Sequence, residues 1–406
     1  MKKNIWIFNH YAITPDLPGG TRHFDFGKEL VKRGYNVTIF ASSFHYSLLK
    51  EIKEYKKNSY IIEDYDGVRF VWIKTFPYSR NDWRRVINML SYSIRSYKVA
   101  KKINIEKPDI IIGSSVHLFA VFIAYLLSKK YKTPFIMEVR DLWPQTLIDM
   151  GVSKWHPFVI LLGILEKFLY KKADKIIVLL PKANEYIENL GISPEKIVWI
   201  PNGVDLERFN FDIECIDLRI DKKNFVITYT GAIGKANNLD TLLETARILK
   251  DNYPEIKFLL VGNGTEKERL IQIAKENNLK NVEFRDPVPK NEIAKIINKS
   301  DVLILLVRDS PLYKYGISFN KLFDYLASGK PIIFSSNSIN NPVEEAKAGI
   351  TVPPDNPQAL ADAIIRLYKI PPEERKRMGD NGKKYVEKYY SMPVLVDRLE
   401  KIFKEL

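Results

Sequence analysis

Two stretches in the second half of the chain share one grammar, and each brings lysine to a loop suited to an anion. FVITYTGAIGKANNLDTLLETARILK reads as a buried strand, a turn through Gly231 and Gly234 to Lys235, and an amphipathic helix. Further on, SDVLILLVRDSPLYKYGISFNKLFDYLASGKPIIFSS repeats the pattern, with Lys321 and Asp324 on a helix that ends at Gly329. A strand feeding a helix through a small-residue loop leaves unpaired backbone N–H groups and the positive end of the helix dipole facing that loop. Two such loops in one domain can hold a diphosphate. A third, Pro18-Gly19-Gly20-Thr21, sits at the first strand-to-helix turn, so two nucleotide-fold domains facing one cleft are expected.

The first half carries the residues that could move protons. His117 follows the apolar run DIIIGSS and opens a helix, which places it at the carboxyl edge of a sheet, where open α/β folds bind ligands. A histidine there either touches substrate or caps the helix. His10, at the end of the first strand, and Glu138, Arg140 and Asp141, after the fifth, come to the same edge. Three charges beside a buried strand must pair with one another or face a wet cleft. Arg22 and His23 follow the Gly19-Gly20 turn and could reach a diphosphate from the opposite wall. The chain shows no Ser-His-Asp order, zinc-ligand spacing or Walker loop. Gly262-Asn-Gly264 is followed by Lys267 where a dinucleotide fingerprint needs its third glycine, which argues against an oxidoreductase.

These residues need a scaffold of alternating strands and helices, and the sequence supplies one. Strands are expected at 4–9, 36–41, 68–74, 109–114, 134–139, 175–180 and 197–200, then at 225–230, 257–261, 282–284, 302–307, 331–335 and 350–352. Their short, continuous apolar runs imply parallel sheets covered by helices on both faces, a doubly wound α/β fold. A length of 406 residues suits two domains. The aperiodic stretch 201–224 reads as the linker, dividing the chain into 1–203 and 204–386, with a last helix at 387–406 packing back on the first domain. Cys215, the single cysteine, fits a reducing compartment and has no histidine near it in sequence. The apolar runs are shorter than the roughly 18 residues a membrane span requires, and the opening run ends at Asn9-His10, so a cytoplasmic protein is expected.

A formal charge of +14 favours anionic partners. Residues 81–102 place Trp83, Ile87, Leu90, Ile94 and Tyr97 on one helical face, with Arg84, Arg85, Arg95, Lys98, Lys101 and Lys102 around it. That pattern fits a helix lying on a membrane surface, or equally a core-facing helix with a solvated basic side. No nucleic-acid motif accompanies the charge, so nucleic acid is not an expected partner.

Several segments together carry a family resemblance: NHYAITPDLPGGTRHFDFGKELVKRGYNVTIFAS, EVRDLWP at 138–144, IPNGVD at 200–205, VGNG at 261–264 and KLFDYLASGKPII at 321–333. The chain resembles a retaining glycosyltransferase of the GT-B fold, family 4, and within it the N-acetyl-L-fucosamine transferase-like subgroup of O-antigen and capsule clusters. The resemblance implies two Rossmann-like domains, a nucleotide-sugar donor (UDP-linked by the same resemblance), no cofactor, and a polyprenyl-diphosphate-linked sugar acceptor at the inner leaflet. It implies donor binding by Gly19, Gly20, Gly231, Lys235, Gly262, Gly264, Ser318, Asn320, Lys321 and Asp324, the last on ribose hydroxyls. His117, Glu138 and His10 become catalytic candidates, and Arg22, His23, Arg140 and Asp141 acceptor-side ones. The chain departs from the family at Gly316, where the first glutamate of a Glu-x7-Glu pair would fall, and at Ala232 and Asn237, where an arginine and a lysine are usual. A nucleotide-sugar 2-epimerase shares this fold and donor and is the alternative enzyme; a basic nucleic-acid-binding protein is the remaining one.

Overall fold

The computed structural model describes residues 3–56, 58–80, 82–209 and 223–406; Cys215 lies outside the described residues. In the first half the apolar runs become β1 (Asn4–Phe8), β2 (Asn36–Ser42), β3 (Phe44–His45), β4 (Lys50–Glu51), β5 (Tyr60–Tyr65), β6 (Val68–Ile73), β7 (Ile110–Ser114), β8 (Phe135–Val139), β9 (Lys175–Val178) and β10 (Ile197–Trp199). Between them run α1 (Arg22–Lys32), α2 (Trp83–Lys102), α3 (Leu118–Tyr131), α4 (Gln145–Asp149), α5 (Pro157–Lys172) and α6 (Ala183–Asn189). The main sheet has the order β10-β9-β8-β7-β1-β2-β6-β5, and β3 pairs with β4 in a separate antiparallel ribbon.

One strand corrects the expectation of a wholly parallel sheet. β5 runs antiparallel to β6, with Tyr60 opposite Ile73. Only Asp66 and Gly67 join the two, both at positive φ, and a two-residue turn cannot make the crossover that parallel pairing demands.

The second sheet, β13-β12-β11-β14-β15-β16, is parallel throughout. It comprises β11 (Phe225–Thr230), β12 (Ile256–Val261), β13 (Val282–Arg285), β14 (Val302–Leu306), β15 (Ile332–Ser335) and β16 (Gly349–Val352). Around it lie α7 (Leu239–Leu249), α8 (Lys267–Glu276), α9 (Ile293–Asn298), α10 (Asn320–Ala327), α11 (Pro342–Glu345), α12 (Pro357–Lys369) and α13 (Pro372–Tyr390), before α14 (Met392–Glu405). In each sheet the strand order reverses beside the first strand, between β1 and β7 and between β11 and β14, and ligands of open α/β sheets bind outside such points.

The chain returns to the first sheet at its end. α13 continues to Tyr390, and α14 starts at Met392 rather than near 387 because Pro393, lacking an N–H, suits a first helical turn. Leu395, Val396, Leu399, Ile402 and Phe403 pack with Ile5, Ile7, Leu30 and Val37 in one core. Among the described residues no helix is long and apolar enough to cross a membrane.

Candidate functional site

The carboxyl edges of the two sheets face each other across a cleft of about 580 Å³. Loops after β11 and β14 form one wall, through Gly231, Asn237 and Gly316–Lys321; Pro18–Gly20, Tyr46 and Arg140–Leu142 form the other. The walls meet closely: a Cβ on Gly20 would lie 2.5 Å from Asn320 Nδ2. Gly316 has φ +98°, and a Cβ there would lie 2.6 Å from Pro181, so this backbone leaves no room for the acidic side chain the family carries at that point.

Lys321 is the cation the cleft is built around. Its Nζ donates to the Tyr229 hydroxyl at 2.7 Å and to Asn237 Oδ1 at 2.9 Å, and lies 4.2 Å from the Tyr229 ring centroid. These partners are neutral, and burial lowers its pKa to about 7 from the ordinary 10.5. An ammonium with no counter-ion in a desolvated site is charged only at a cost. It stands in the first turn of α10, whose N-terminus no side chain caps, so backbone amides and side chain converge on the cleft.

Asp324, on the same helix, is buried and ion-pairs with Lys290, not with Lys321. Lys290 was missed in the sequence, where PVPKNEI offers only a turn signal. Its backbone N–H donates to Leu17 O at 3.1 Å, and that of Asn291 to Pro15 O at 3.1 Å, so this loop also ties the domains together.

Of the expected donor residues, Lys235 and Gly264 fall outside the cleft lining, whereas Ser318 lines it. Lys235 is exposed on a 3-10 turn, Lys235–Asn237, and does not line the cleft; the same turn instead aims Asn237 at Lys321. Gly264 is exposed and outside the cleft lining, and a Cβ there would come within 2.3 Å of Ile233 O, whereas Gly262 lines the cleft. Ser318 accepts from the Asn202 backbone N–H at 2.8 Å and from its side-chain amide, fastening α10 to the linker.

In the first domain the charged trio is rearranged. Glu138 is buried and closes a network with Arg22 Nε at 2.8 Å, His23 Nε2 at 2.7 Å and Ser114 Oγ at 2.7 Å. Burial opposes its ionisation, but His23 and Arg22 hold the carboxyl well below the usual range. His23 Nδ1 accepts from Asn9 Nδ2 at 2.7 Å, which fixes Nε2–H toward Glu138, and burial lowers the ring's pKa. Arg22 spends its remaining donors on the carbonyls of Ile200 and Pro201. Glu138, Arg22 and His23 therefore form a buried network in which the carboxylate already accepts three hydrogen bonds, one of them from Ser114.

His117 is the N-cap of α3. Its Nδ1 accepts from the Ala120 N–H at 3.1 Å, which leaves Nε2–H to donate to His10 Nδ1 at 2.8 Å. Burial lowers both pKa values, that of His117 to about 3, so the pair is neutral. Neither ring lines the cleft; His10 stacks between Tyr11 and Tyr92, and its Nε2–H has no protein acceptor. Arg140 and Asp141 do line it, and desolvation within the cleft raises the Asp141 carboxyl against the pull of Arg140 and Arg85, although its surface is open to the cavity.

Arg85 corrects the reading of α2. Its guanidinium turns inward onto Tyr11, 5.8 Å from the ring, instead of joining a basic rim. Arg84 pairs with Asp82, and Arg95 donates to Lys74 O. The core-facing side of α2 is Asn88, Met89, Tyr92, Ser93, Ser96, Val99 and Ala100; of the expected stripe, Trp83, Leu90 and Ile94 are exposed.

The sequence matches two family profiles that between them span most of its length. Glycosyltransferase Family 4 matches residues 19–208, and Glycosyl transferases group 1 matches residues 211–385. It is 23% identical over 390 residues to a putative colanic acid biosynthesis glycosyl transferase, WcaI, of Escherichia coli K12, covering 91% of this chain and 93% of that protein. It is 27% identical over 216 residues to an Escherichia coli UDP-Gal:alpha-D-GlcNAc-diphosphoundecaprenol alpha-1,3-galactosyltransferase, covering 50% of this chain and 53% of that one. Among solved structures, sucrose-phosphate synthase of Thermosynechococcus elongatus superposes with a TM-score of 0.77 at 17% identity over 100% of this chain and 99% of its own. Anabaena HepE in complex with UDP-glucose superposes with a TM-score of 0.69 at 13% identity, over 99% of this chain and 100% of its own. At these identities the structures establish a shared fold.

Proposed function

The chain belongs to the family 4 type glycosyltransferases of the GT-B fold, and we propose that it transfers a sugar from a UDP-linked donor to a lipid-diphosphate-linked saccharide, with retention, in surface-polysaccharide assembly. The observation that carries this reading is Lys321: an ammonium with only neutral partners, at an uncapped helix N-terminus, in the cleft between the domains. A diphosphate supplies the missing counter-charge. As the glycosidic bond breaks, negative charge grows on the leaving phosphate, and Lys321 with the α10 amides stabilises it without reorganisation. Asp324, held by Lys290, keeps an oxygen for a ribose hydroxyl. The opposed walls align acceptor and donor and exclude water, which protects the donor from hydrolysis. In this reading the leaving phosphate receives the acceptor's proton on the same face as the departing bond, which the burial of Glu138 among Arg22, His23 and Ser114 supports.

The nucleotide follows HepE, which was solved with UDP-glucose, and the acceptor class follows the relative that acts on a diphosphoundecaprenol-linked sugar. Arg140 and Asp141 form the acceptor wall, and the exposed Lys98, Lys101 and Lys102 of α2 support an anionic membrane surface as the enzyme's place of action. The test is mass spectrometry of products from a panel of UDP-, GDP- and dTDP-sugars with lipid-diphosphate saccharides. Transfer from a UDP-sugar with the anomeric configuration kept is expected. Release of a free epimer without acceptor would overturn the reading.

A further inference from the structure

Helix α5 is apolar on both sides, although only one side meets the core. Val159, Leu162, Leu169 and Tyr170 are buried, while Ile160, Leu161, Ile164 and Phe168 are exposed at helical spacing on the opposite face. The loop before it adds Met150 and Trp155, at 72% and 75% exposure. A surface helix in water carries polar residues on its outer face, and an exposed apolar patch of this extent marks a contact surface.

Charge identifies the partner. α3 packs between α2 and α5, with Phe168 of α5 ringed by Phe122 and Tyr125 of α3. The three helices carry eleven lysines and arginines and a single acid, Glu166. Glu166 is buried, accepts from the Tyr170 and Tyr186 hydroxyls at 2.9 Å each, and is pushed up to about 8 by burial. The layer thus presents apolar side chains and positive charge with no exposed carboxylate. Lys154 lies 5.3 Å from the Trp155 ring and Lys172 lies 5.8 Å from that of Phe168, pairing cations with aromatics as an interfacial helix does.

The patch also continues from the cleft. Arg140, Asp141, Leu142, Thr146 and Asp149 line the cavity, and Met150 follows directly. We propose that the outer face of α5 with the Met150–Trp155 loop docks on an anionic bilayer leaflet, and that α4 is the threshold over which a lipid-linked acceptor passes from the leaflet to Arg140. The second clause rests on the acceptor class proposed above; the docking surface does not. A headgroup at Arg140 would leave its lipid tail to run past the short helix α4 to the exposed Met150 and Trp155.

The test uses the full chain and a variant carrying Trp155→Ser, Leu161→Asn and Ile164→Asn, all at exposed positions. Wild type should float with vesicles of phosphatidylglycerol and phosphatidylcholine, should leave them in high salt, and should not float with phosphatidylcholine alone. The variant should lose roughly tenfold or more in vesicle affinity while its melting curve is unchanged. Nucleoside-diphosphate binding and transfer to a water-soluble, short-tailed acceptor should match wild type, and transfer to a full-length lipid acceptor in vesicles should fall. A variant that floats as well as wild type overturns the proposal. So does a wild type that fails to float but forms a dimer that the variant breaks, since the face would then belong to a second copy. Absence of product with the soluble acceptor would refute the transferase reading and leave the flotation result standing.

Discussion

Replacing Lys321 by methionine keeps the bulk of the side chain and removes the one cation in the cleft wall whose partners are all neutral. Loss of a charge-assisted contact to a diphosphate costs about 1.5–3 kcal/mol. That corresponds to roughly a 10- to 150-fold weaker Kd for the nucleoside diphosphate. The pKa near 7 adds a second, independent signature. Burial favours the neutral amine in the empty site, and a bound dianion favours the ammonium, so binding above pH 7 must take up a proton. Near pH 8.5 such a group is ~97% neutral when free, and uptake should approach about one proton per diphosphate bound. Wild-type affinity should therefore fall by up to about tenfold per pH unit above neutrality, while the methionine variant shows a flat profile.

Calorimetric titration in two buffers of different ionisation enthalpy reads affinity and proton count in one experiment. Stability gives a cross-check with a definite sign. Between pH 7 and 10.5 the unfolded chain binds more protons at Lys321 than the folded one, so stability attributable to this residue rises with pH across that window. The variant should lose that slope. Equal affinity and equal proton uptake in the two proteins would refute the assignment of Lys321 to the diphosphate.

Lys235→Ala, which changes an exposed residue outside the cleft, should leave diphosphate affinity within about twofold by the same titration. Glu138→Gln should destabilise the protein strongly, by about 3–5 kcal/mol at neutral pH, because Arg22 then stays buried without its counter-ion. The folded-state pKa of Glu138 is depressed, so the stability it contributes is present above its unfolded value of 4.5 and lost as the pH falls further; urea unfolding of wild type and variant should converge in acid. His117→Ala should cost about 1 kcal/mol through the lost cap of α3, with His117→Asn recovering most of it. Asp141→Asn should reduce transfer to the saccharide acceptor while leaving diphosphate binding unchanged, as steady-state kinetics and calorimetry together would show.

Strands buried on both faces are legible because each is a continuous apolar run, and the bounds expected in the second domain fall within a residue or so of β11 to β16. The loop and helix around Lys321 are legible for the same local reason. Lys290 is not, since its meaning comes from Asp324, 34 residues away, and nothing adjacent marks it. His117 is locally ambiguous, because a helix cap and a cleft histidine occupy the same strand-to-helix corner; the Ala120 N–H decides between them. The buried face of α2 is hidden for a different reason. Ser93 and Ser96 donate to the helix's own carbonyls of Met89 and Tyr92, and the Asn88 amide donates to Phe76 O while its Oδ1 has no protein partner, so the donors of this face find acceptors and pack as core. Hydropathy alone assigns that face to water.

The Glu138 network has a reach that its burial disguises. Glu138 is the penultimate residue of β8, in the segment that leads directly to Arg140 and Asp141 on the cleft wall. Through Arg22 it holds the carbonyls of Ile200 and Pro201, the point where the chain leaves the first sheet. The next residue, Asn202, binds Ser318 twice, two residues before the N-terminus of α10 and three before Lys321. A chain of buried charge-assisted and neutral hydrogen bonds thus runs from the first-domain wall of the cleft, through Asn202, to the start of α10. Movement of one domain against the other must either carry this chain as a rigid unit or break it at Asn202–Ser318, its one junction without a charge. Because Arg22 and Glu138 are desolvated, breaking their pair costs far more than exchanging the Asn202 contacts for water. The expected hinge is therefore at Asn202. Asn202→Ala should loosen closure and raise KM for the donor, with melting temperature little changed, whereas Arg22→Ala should lower the melting temperature itself. A melting point as low in Asn202→Ala as in Arg22→Ala would show that the two junctions are equally structural and that the hinge lies elsewhere.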